Sequence, residues 1–147
     1  MENDAAEQLA AISDTRSAVA DRLVTPVWYH PLLGLALAGY VIAIGLDNTV
    51  VALAGGVLFV LAATGLANKY RQMTGIQVTG PGTGRASRWA IAMGAMIGVV
   101  LLTAWATGRY TESWWQIPVL AAIAFAGTVV LGRRYDAALR AQLRARS

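Results

Sequence analysis

A single histidine is the most reactive side chain in this 147-residue sequence. His30 is flanked by Tyr29 and Pro31 and precedes a long apolar segment. The chain has no cysteine, which excludes disulfides, thiolate metal sites and cysteine nucleophiles. No acid or hydroxyl residue stands in a catalytic spacing with His30, so the sequence predicts neither a metal site nor catalysis there. Because imidazole changes charge within the physiological pH range, a pH-sensitive role for His30 is a hypothesis.

The glycine-rich segment 79–85 raises a second possible chemistry, phosphate binding. Its sequence is Thr-Gly-Pro-Gly-Thr-Gly-Arg. A phosphate-binding loop of the P-loop type requires Gly-Lys-Ser/Thr between a strand and a helix, and this segment has no such sequence. We therefore interpret it as a flexible turn in a linker and expect no cofactor.

The polar residues inside the apolar segments are neutral. Ion-coupled transporters usually carry an ionisable side chain at mid-membrane depth, and the polar candidates here are Tyr40, Thr64, Thr103 and Thr128. A threonine can donate its hydroxyl to the carbonyl one turn back in its own helix. Tyr40, in the middle of the first apolar segment, is predicted to be a packing residue. The alternative is that it lines a pathway for a substrate.

Four apolar segments account for most of the chain and predict its fold class. The sequence is 56% hydrophobic and 14% charged, whereas soluble domains are about a quarter charged. Since about 20 apolar residues span a bilayer, we expect an all-α integral membrane protein with four transmembrane helices. The spans are predicted at about 27–46, 49–67, 89–107 and 115–132. Short connections at 47–48 and 108–114 predict two antiparallel hairpins, and Asp47, Asn48 and Thr49 are the candidate caps at the start of the second span.

The basic residues predict the orientation of these spans. The linker 68–88 carries four Lys or Arg residues, the tail after 132 carries five, and the N-terminal segment two, whereas 108–114 carries only Arg109. Lys and Arg are enriched on the cytoplasmic side of membrane proteins. Both termini are therefore expected in the cytoplasm, most simply at a bacterial inner membrane. The tryptophans stand at the span ends, as interfacial anchors do.

Two cytoplasmic segments are predicted to be amphipathic helices. The N-terminal one has an apolar stripe beside an acidic face, interrupted by one arginine. Its interface candidates are Leu9, Ile12, Arg16, Val19 and Leu23. The short basic C-terminal helix places Leu139 and Leu143 four residues apart. We predict that Leu9 and Ile12 dock on these two leucines; the alternatives are that each helix lies on the membrane or binds a partner protein.

Small residues recur every four positions in the third span. Ala90, Gly94 and Gly98 would form one face on which helix backbones can approach closely. This face predicts tight packing within the bundle or contact with another subunit. Gly94 and Gly98 are therefore the membrane-embedded interface candidates.

These patterns divide the chain into five segments and suggest a non-enzymatic role. The segments are a cytoplasmic amphipathic helix (1–26), a transmembrane hairpin (27–67), a cytoplasmic linker (68–88), a second hairpin (89–132) and a basic cytoplasmic tail (133–147). We expect an accessory or regulatory subunit that contacts anionic lipid headgroups and another membrane protein or further copies of itself. The alternative is a small oligomeric transporter or pore for neutral or apolar substrates. A nucleic-acid partner is not expected, because the bases flank membrane segments.

Overall fold

The chain folds into four helices over the part that the structure, a computed structural model, describes. The described residues are 7, 8, 11, 25–74, 85–112 and 114–144. The helices are α1 (Tyr29–Gly45), α2 (Thr49–Thr74), α3 (Arg85–Tyr110) and α4 (Gln116–Arg144), and these ranges contain no strand. The all-α prediction is thus confirmed for the described residues. The predicted N-terminal interface residues Leu9, Ile12, Arg16, Val19 and Leu23 lie outside them.

Local sequence explains where the helices begin and end. Pro31 and Pro118 lie in the first turns of α1 and α4, where a missing backbone N–H costs little. Between α1 and α2, Asp47 adopts a left-handed backbone conformation with φ 48°. Asn48 Oδ1 then accepts hydrogen bonds from the N–H groups of Val50 and Val51, at 3.0 and 3.1 Å. Asn48 is therefore the N-cap of α2, as one of the three capping candidates in this turn.

Two helices continue beyond the predicted membrane boundary. Helix α2 ends at Thr74 rather than near 67, and α4 continues to Arg144 without a break after 132. Both segments beyond the apolar stretches lack glycine and proline: 68–74 contains the good helix formers Lys, Arg, Gln and Met, and 133–144 is rich in Ala, Leu and Arg. The basic C-terminal segment is accordingly helical, but it is the continuation of the last span and not a separate helix.

Helices α1, α3 and α4 share one core. Its buried residues come from all three helices: Leu37, Ala38, Val41, Val100, Ala104, Ala121 and Ala124. The alanines let the helices approach closely, as is usual in membrane bundles. Helix α1 packs against each of the other three helices, whereas α2 packs mainly against α1. The architecture is a three-helix bundle with α2 on its outside.

Among the described residues, three helices are long and apolar enough to cross a membrane. These are α2, α3 and α4, and in α2 none of the apolar window is buried by the rest of the chain. Helix α1 is a shorter apolar helix of 17 residues, about 25 Å long, which is near the minimum for a span. Large apolar side chains cover the outer surface, among them Leu53, Leu61, Ile91 and Leu102. Such a surface is expected where lipid is the solvent.

One close backbone contact fixes α1 against α3. A Cβ atom added to Gly108 would stand 2.6 Å from the carbonyl oxygen of Gly45 and 3.1 Å from its Cα. Both neighbours are main-chain atoms, so neither can turn away as a side chain would. Only glycine at position 108 allows this approach.

Candidate functional site

Side-chain contacts define two ends of the bundle. At one end, the start of α1 meets the end of α2 through Tyr29 and Tyr70, whose ring centroids lie 5.5 Å apart. At the same end, Gln142 of α4 accepts a hydrogen bond of 3.2 Å from the backbone N–H of Ala86, at the start of α3. We call this the basic end, because most of the described Lys and Arg residues are here. The opposite end holds Gly45, Gly108 and the Asp47–Arg109 ion pair.

The main polar feature of the basic end is a pair formed by His30 and Asp136. The imidazole Nε2 lies 2.7 Å from the carboxylate Oδ2, and the two side chains are 11% and 16% exposed. His30 is in the first turn of α1, and Asp136 lies 106 residues later in α4. No acid is close to His30 in the sequence, but the fold brings Asp136 to it from α4. The pair joins the first and last helices across the bundle.

The backbone of α4 gives the imidazole its place. A Cβ atom added to Gly132 would overlap the His30 ring, with 2.6 Å to Cε1. Gly132 precedes Asp136 by one helical turn, so both lie on the same face of α4. The His30 ring packs against the backbone at Gly132 and is hydrogen-bonded to the carboxylate of Asp136. On its other side, His30 meets Tyr29 edge to face at 5.3 Å. His30 is thus held by packing and by a hydrogen bond together.

This arrangement suits a structural bond better than a catalytic one. A His–Asp pair acts in nucleophilic catalysis when the histidine also contacts a nucleophile. Here Nε2 is used by Asp136, and Nδ1 faces Gly132. Among the described residues, no three His, Cys, Asp or Glu side chains form a group that could hold a metal ion. What the geometry provides is a mostly buried hydrogen bond that links α1 to α4.

Two cations at the basic end lie over tryptophan rings. The Lys69 ammonium is 5.6 Å from the ring centroid of Trp28, and the Arg134 guanidinium is 6.0 Å from that of Trp89. These are cation–π distances. The two pairs belong to different sides of the bundle, the first to α1 and α2 and the second to α3 and α4. The other tryptophans lie toward the opposite end, where Trp105 meets Tyr110 at 6.0 Å.

The middle of the bundle is packed with apolar side chains. Tyr40 stacks on Phe59, with ring centroids 5.7 Å apart and planes inclined by 13°. Its hydroxyl would stand 3.3 Å from a Cβ atom at Gly56, so Tyr40 fills a groove on α2. Thr128, which is 1% exposed, donates its hydroxyl to the Ala124 carbonyl at 2.7 Å. The Thr128 hydroxyl is thus bonded within its own helix, and the packing of the Tyr40 ring on Phe59 fits the packing interpretation of Tyr40.

The predicted interface glycines of α3 lie on an open face. A Cβ atom at Gly94 or Gly98 would meet no atom within 4 Å. Several other glycines do make close contacts inside the chain, including Gly34 against Phe125 and Gly127 against Met96. Of the two predicted uses of the Gly94–Gly98 face, packing against the described part of the chain is not observed. Contact with another subunit stays a prediction.

Comparison with known proteins gives no relative: the chain matches no protein-family model, no curated protein and no solved structure.

Proposed function

We propose that this protein is a non-enzymatic accessory or regulatory subunit of a membrane complex, in which the outer faces of α2 and α3 pack against helices of another membrane protein. The observation that carries the proposal is the division of packing within the chain. Helices α1, α3 and α4 form a close-packed apolar core, whereas no residue in the most apolar stretch of α2 is fully buried. The three core helices therefore pack against one another, and the outer faces of α2 and α3 are free of the described part of the chain and available to helices of another protein.

The α3 face is the more specific of these surfaces. Gly94 and Gly98 are four residues apart and exposed, and Ile91 and Leu102 are exposed on the same helix. In lipid, apolar side chains gain little by leaving the solvent, so association depends on close backbone contact. Gly94 and Gly98, one turn apart, allow that contact. They have no side chains, so a neighbouring helix can approach the α3 backbone there, between the larger side chains of Ile91 and Leu102.

The proposed topology has four spans in two antiparallel hairpins, with the basic end and both termini in the cytoplasm. Its support is the contacts that join the starts of α1 and α3 with the ends of α2 and α4. The described bases at this end agree with the positive-inside rule. A bacterial inner membrane is the setting that we propose.

Native mass spectrometry tests the proposal. The tagged full-length protein would be extracted from its own membrane with a mild detergent and weighed with whatever remains bound. We expect a discrete complex containing a second membrane protein. The double variant Gly94→Leu and Gly98→Leu should lose that partner. Gly39→Leu is the matched control, because a side chain at Gly39 also meets no atom within 4 Å.

Two outcomes would contradict the proposal. If the wild-type protein forms only complexes of its own chain, the alternative of an oligomeric transporter or pore is favoured. If the partner is retained by the double variant, or is lost equally in Gly39→Leu, the Gly94–Gly98 face is not the contact surface.

A further inference from the structure

Exposed positive charge collects at the basic end of the described bundle. Its exposed cations come from α2, α3 and α4: Lys69, Arg71, Arg88, Arg133 and Arg134. Within helices α1 to α4, the acid at this end is Asp136, which is mostly buried and is bonded to His30. At the opposite end, Arg109 lies 3.5 Å from Asp47, and Glu112 adds a second acid. The two ends therefore present opposite signs of charge.

The contacts of Lys69 and Arg134 with tryptophan rings indicate how deep these two cations lie in the bilayer. Indole rings favour the headgroup layer of a bilayer, because their apolar rings and polar N–H suit that boundary. Trp28 and Trp89 are partly buried against the bundle, whereas Lys69 and Arg134 are exposed above them. A cation held on the face of such a ring lies at the level of the lipid phosphates.

We propose that Arg134 on Trp89 forms a binding site for the phosphate of an anionic phospholipid headgroup, with Lys69 on Trp28 as a weaker second site. Arginine is the stronger of the two, because its planar guanidinium can donate two parallel hydrogen bonds to phosphate oxygens. Arg133 and Arg88 are the sequence neighbours of Arg134 and Trp89, and both are exposed. They raise the positive potential around the site. This inference goes beyond the proposed function and requires no protein partner.

The ligand is a lipid rather than a soluble phosphate ester because the site adjoins the apolar surface. Below the basic end, α3 and α4 expose large apolar side chains such as Ile91 and Val130. An acyl chain can follow that surface while its headgroup meets Arg134. A juxtamembrane Lys or Arg contributes about 1 kcal/mol toward anionic lipid, which is about fivefold in affinity.

Lipid retention measured by native mass spectrometry tests the site. The full-length protein would be placed in nanodiscs containing equal amounts of phosphatidylglycerol and phosphatidylcholine with the same acyl chains. We expect phosphatidylglycerol to be enriched among the lipids that stay bound. Arg134→Gln should reduce that enrichment about fivefold, and Arg134→Lys, which keeps the charge but not the planar guanidinium, should reduce it less. Arg109→Gln, at the opposite end, is the matched control and should leave the enrichment unchanged.

Three results would overturn the proposal. The first is equal retention of the two lipids by the wild-type protein. The second is a loss in Arg134→Gln that Arg109→Gln reproduces, or that is equally large in Arg134→Lys. The third is displacement of the bound lipid by millimolar glycerol phosphate, which would identify a soluble phosphate ester as the ligand.

Discussion

Removing either member of the His30–Asp136 pair should destabilise the bundle, and by different amounts. Asp136→Ala leaves the imidazole Nε2 without its hydrogen bond of 2.7 Å. His30→Ala leaves a carboxylate that is only 16% exposed without a partner. A buried charge is harder to leave unpaired than a buried neutral group. The histidine variant should therefore be the less stable of the two.

The burial of the pair sets the magnitude. A neutral polar group left unsatisfied in a protein interior costs about 1–3 kcal/mol, so we expect about 2 kcal/mol for Asp136→Ala. An uncompensated buried charge costs about 3–5 kcal/mol, and the partial exposure of Asp136 favours the lower value, about 3 kcal/mol, for His30→Ala. The double variant has no unpaired group. Its loss should be smaller than the sum of the single losses by about 1–2 kcal/mol.

Reversible unfolding in mixed micelles measures these differences. The fraction of sodium dodecyl sulfate in a non-ionic detergent would be raised while tryptophan fluorescence is followed, and the free energy of unfolding would be obtained for each variant. Arg109→Gln is the control, because it removes an ion pair of 3.5 Å whose side chains are 57% and 48% exposed. Exposed pairs contribute about 0–1 kcal/mol, so this variant should differ little from the wild type.

Additivity would refute the reasoning. If the losses of the two single variants sum to that of the double variant, His30 and Asp136 do not stabilise the fold through each other. A loss in Arg109→Gln as large as in Asp136→Ala would also show that burial does not set the size of the effect.

Three further predictions concern other parts of the bundle. Gly108→Ala should cost about 2 kcal/mol in the same unfolding assay, because its Cβ would stand 2.6 Å from the Gly45 carbonyl oxygen, whereas Gly39→Ala should be neutral or stabilising. Asn48→Ala should cost about 1 kcal/mol in that assay through loss of the α2 N-cap. A membrane-impermeant maleimide should label Tyr40→Cys far more slowly than Asn48→Cys; equal rates would indicate a water-filled path.

The sequence was sufficient to predict the helices and their lipid-facing character. Long uncharged segments predict α-helices in a membrane, because each backbone polar group must be bonded within its own segment. Asn48 is one of the predicted cap candidates, because a short polar side chain just before an apolar helix can accept hydrogen bonds from the free N–H groups of its first turn. The ends of α2 and α4 were predicted too early. A charged residue marks the edge of the lipid, but a helix ends only where its backbone bonding or propensity fails.

The His30–Asp136 pair could not be predicted from spacing. Its members are separated by 106 residues, and each stands beside residues that look like ordinary interfacial anchors. Periodicity assigns a residue to a helix face, but it does not determine which face of another helix will lie opposite. The pair follows from the packing of α1 on α4, with Gly132 giving the imidazole room.

For a similar reason, the spacing of the glycines does not predict which of them make close contacts between helices. The regular spacing of Gly94 and Gly98 predicts a contact face, yet no residue in the described ranges packs on it. The glycine contacts that hold the bundle together, at Gly45, Gly108 and Gly132, follow no repeat. Each depends on the local distance between two particular helices, which a single sequence does not encode as a period.

The central position of α1 has a consequence for biosynthesis. This helix is made first among the four, and most of the side chains that it buries face helices made much later. Ribosomes add about 5–20 residues per second, so Asp136 is synthesised about 5–20 s after His30, from which it is separated by 106 residues. Helix α3 is made within that interval, so α2 is the only other described helix that can pack against α1 until α3 has been synthesised. Slowing translation between the two segments should prolong the exposure of the His30 face to insertion factors and proteases.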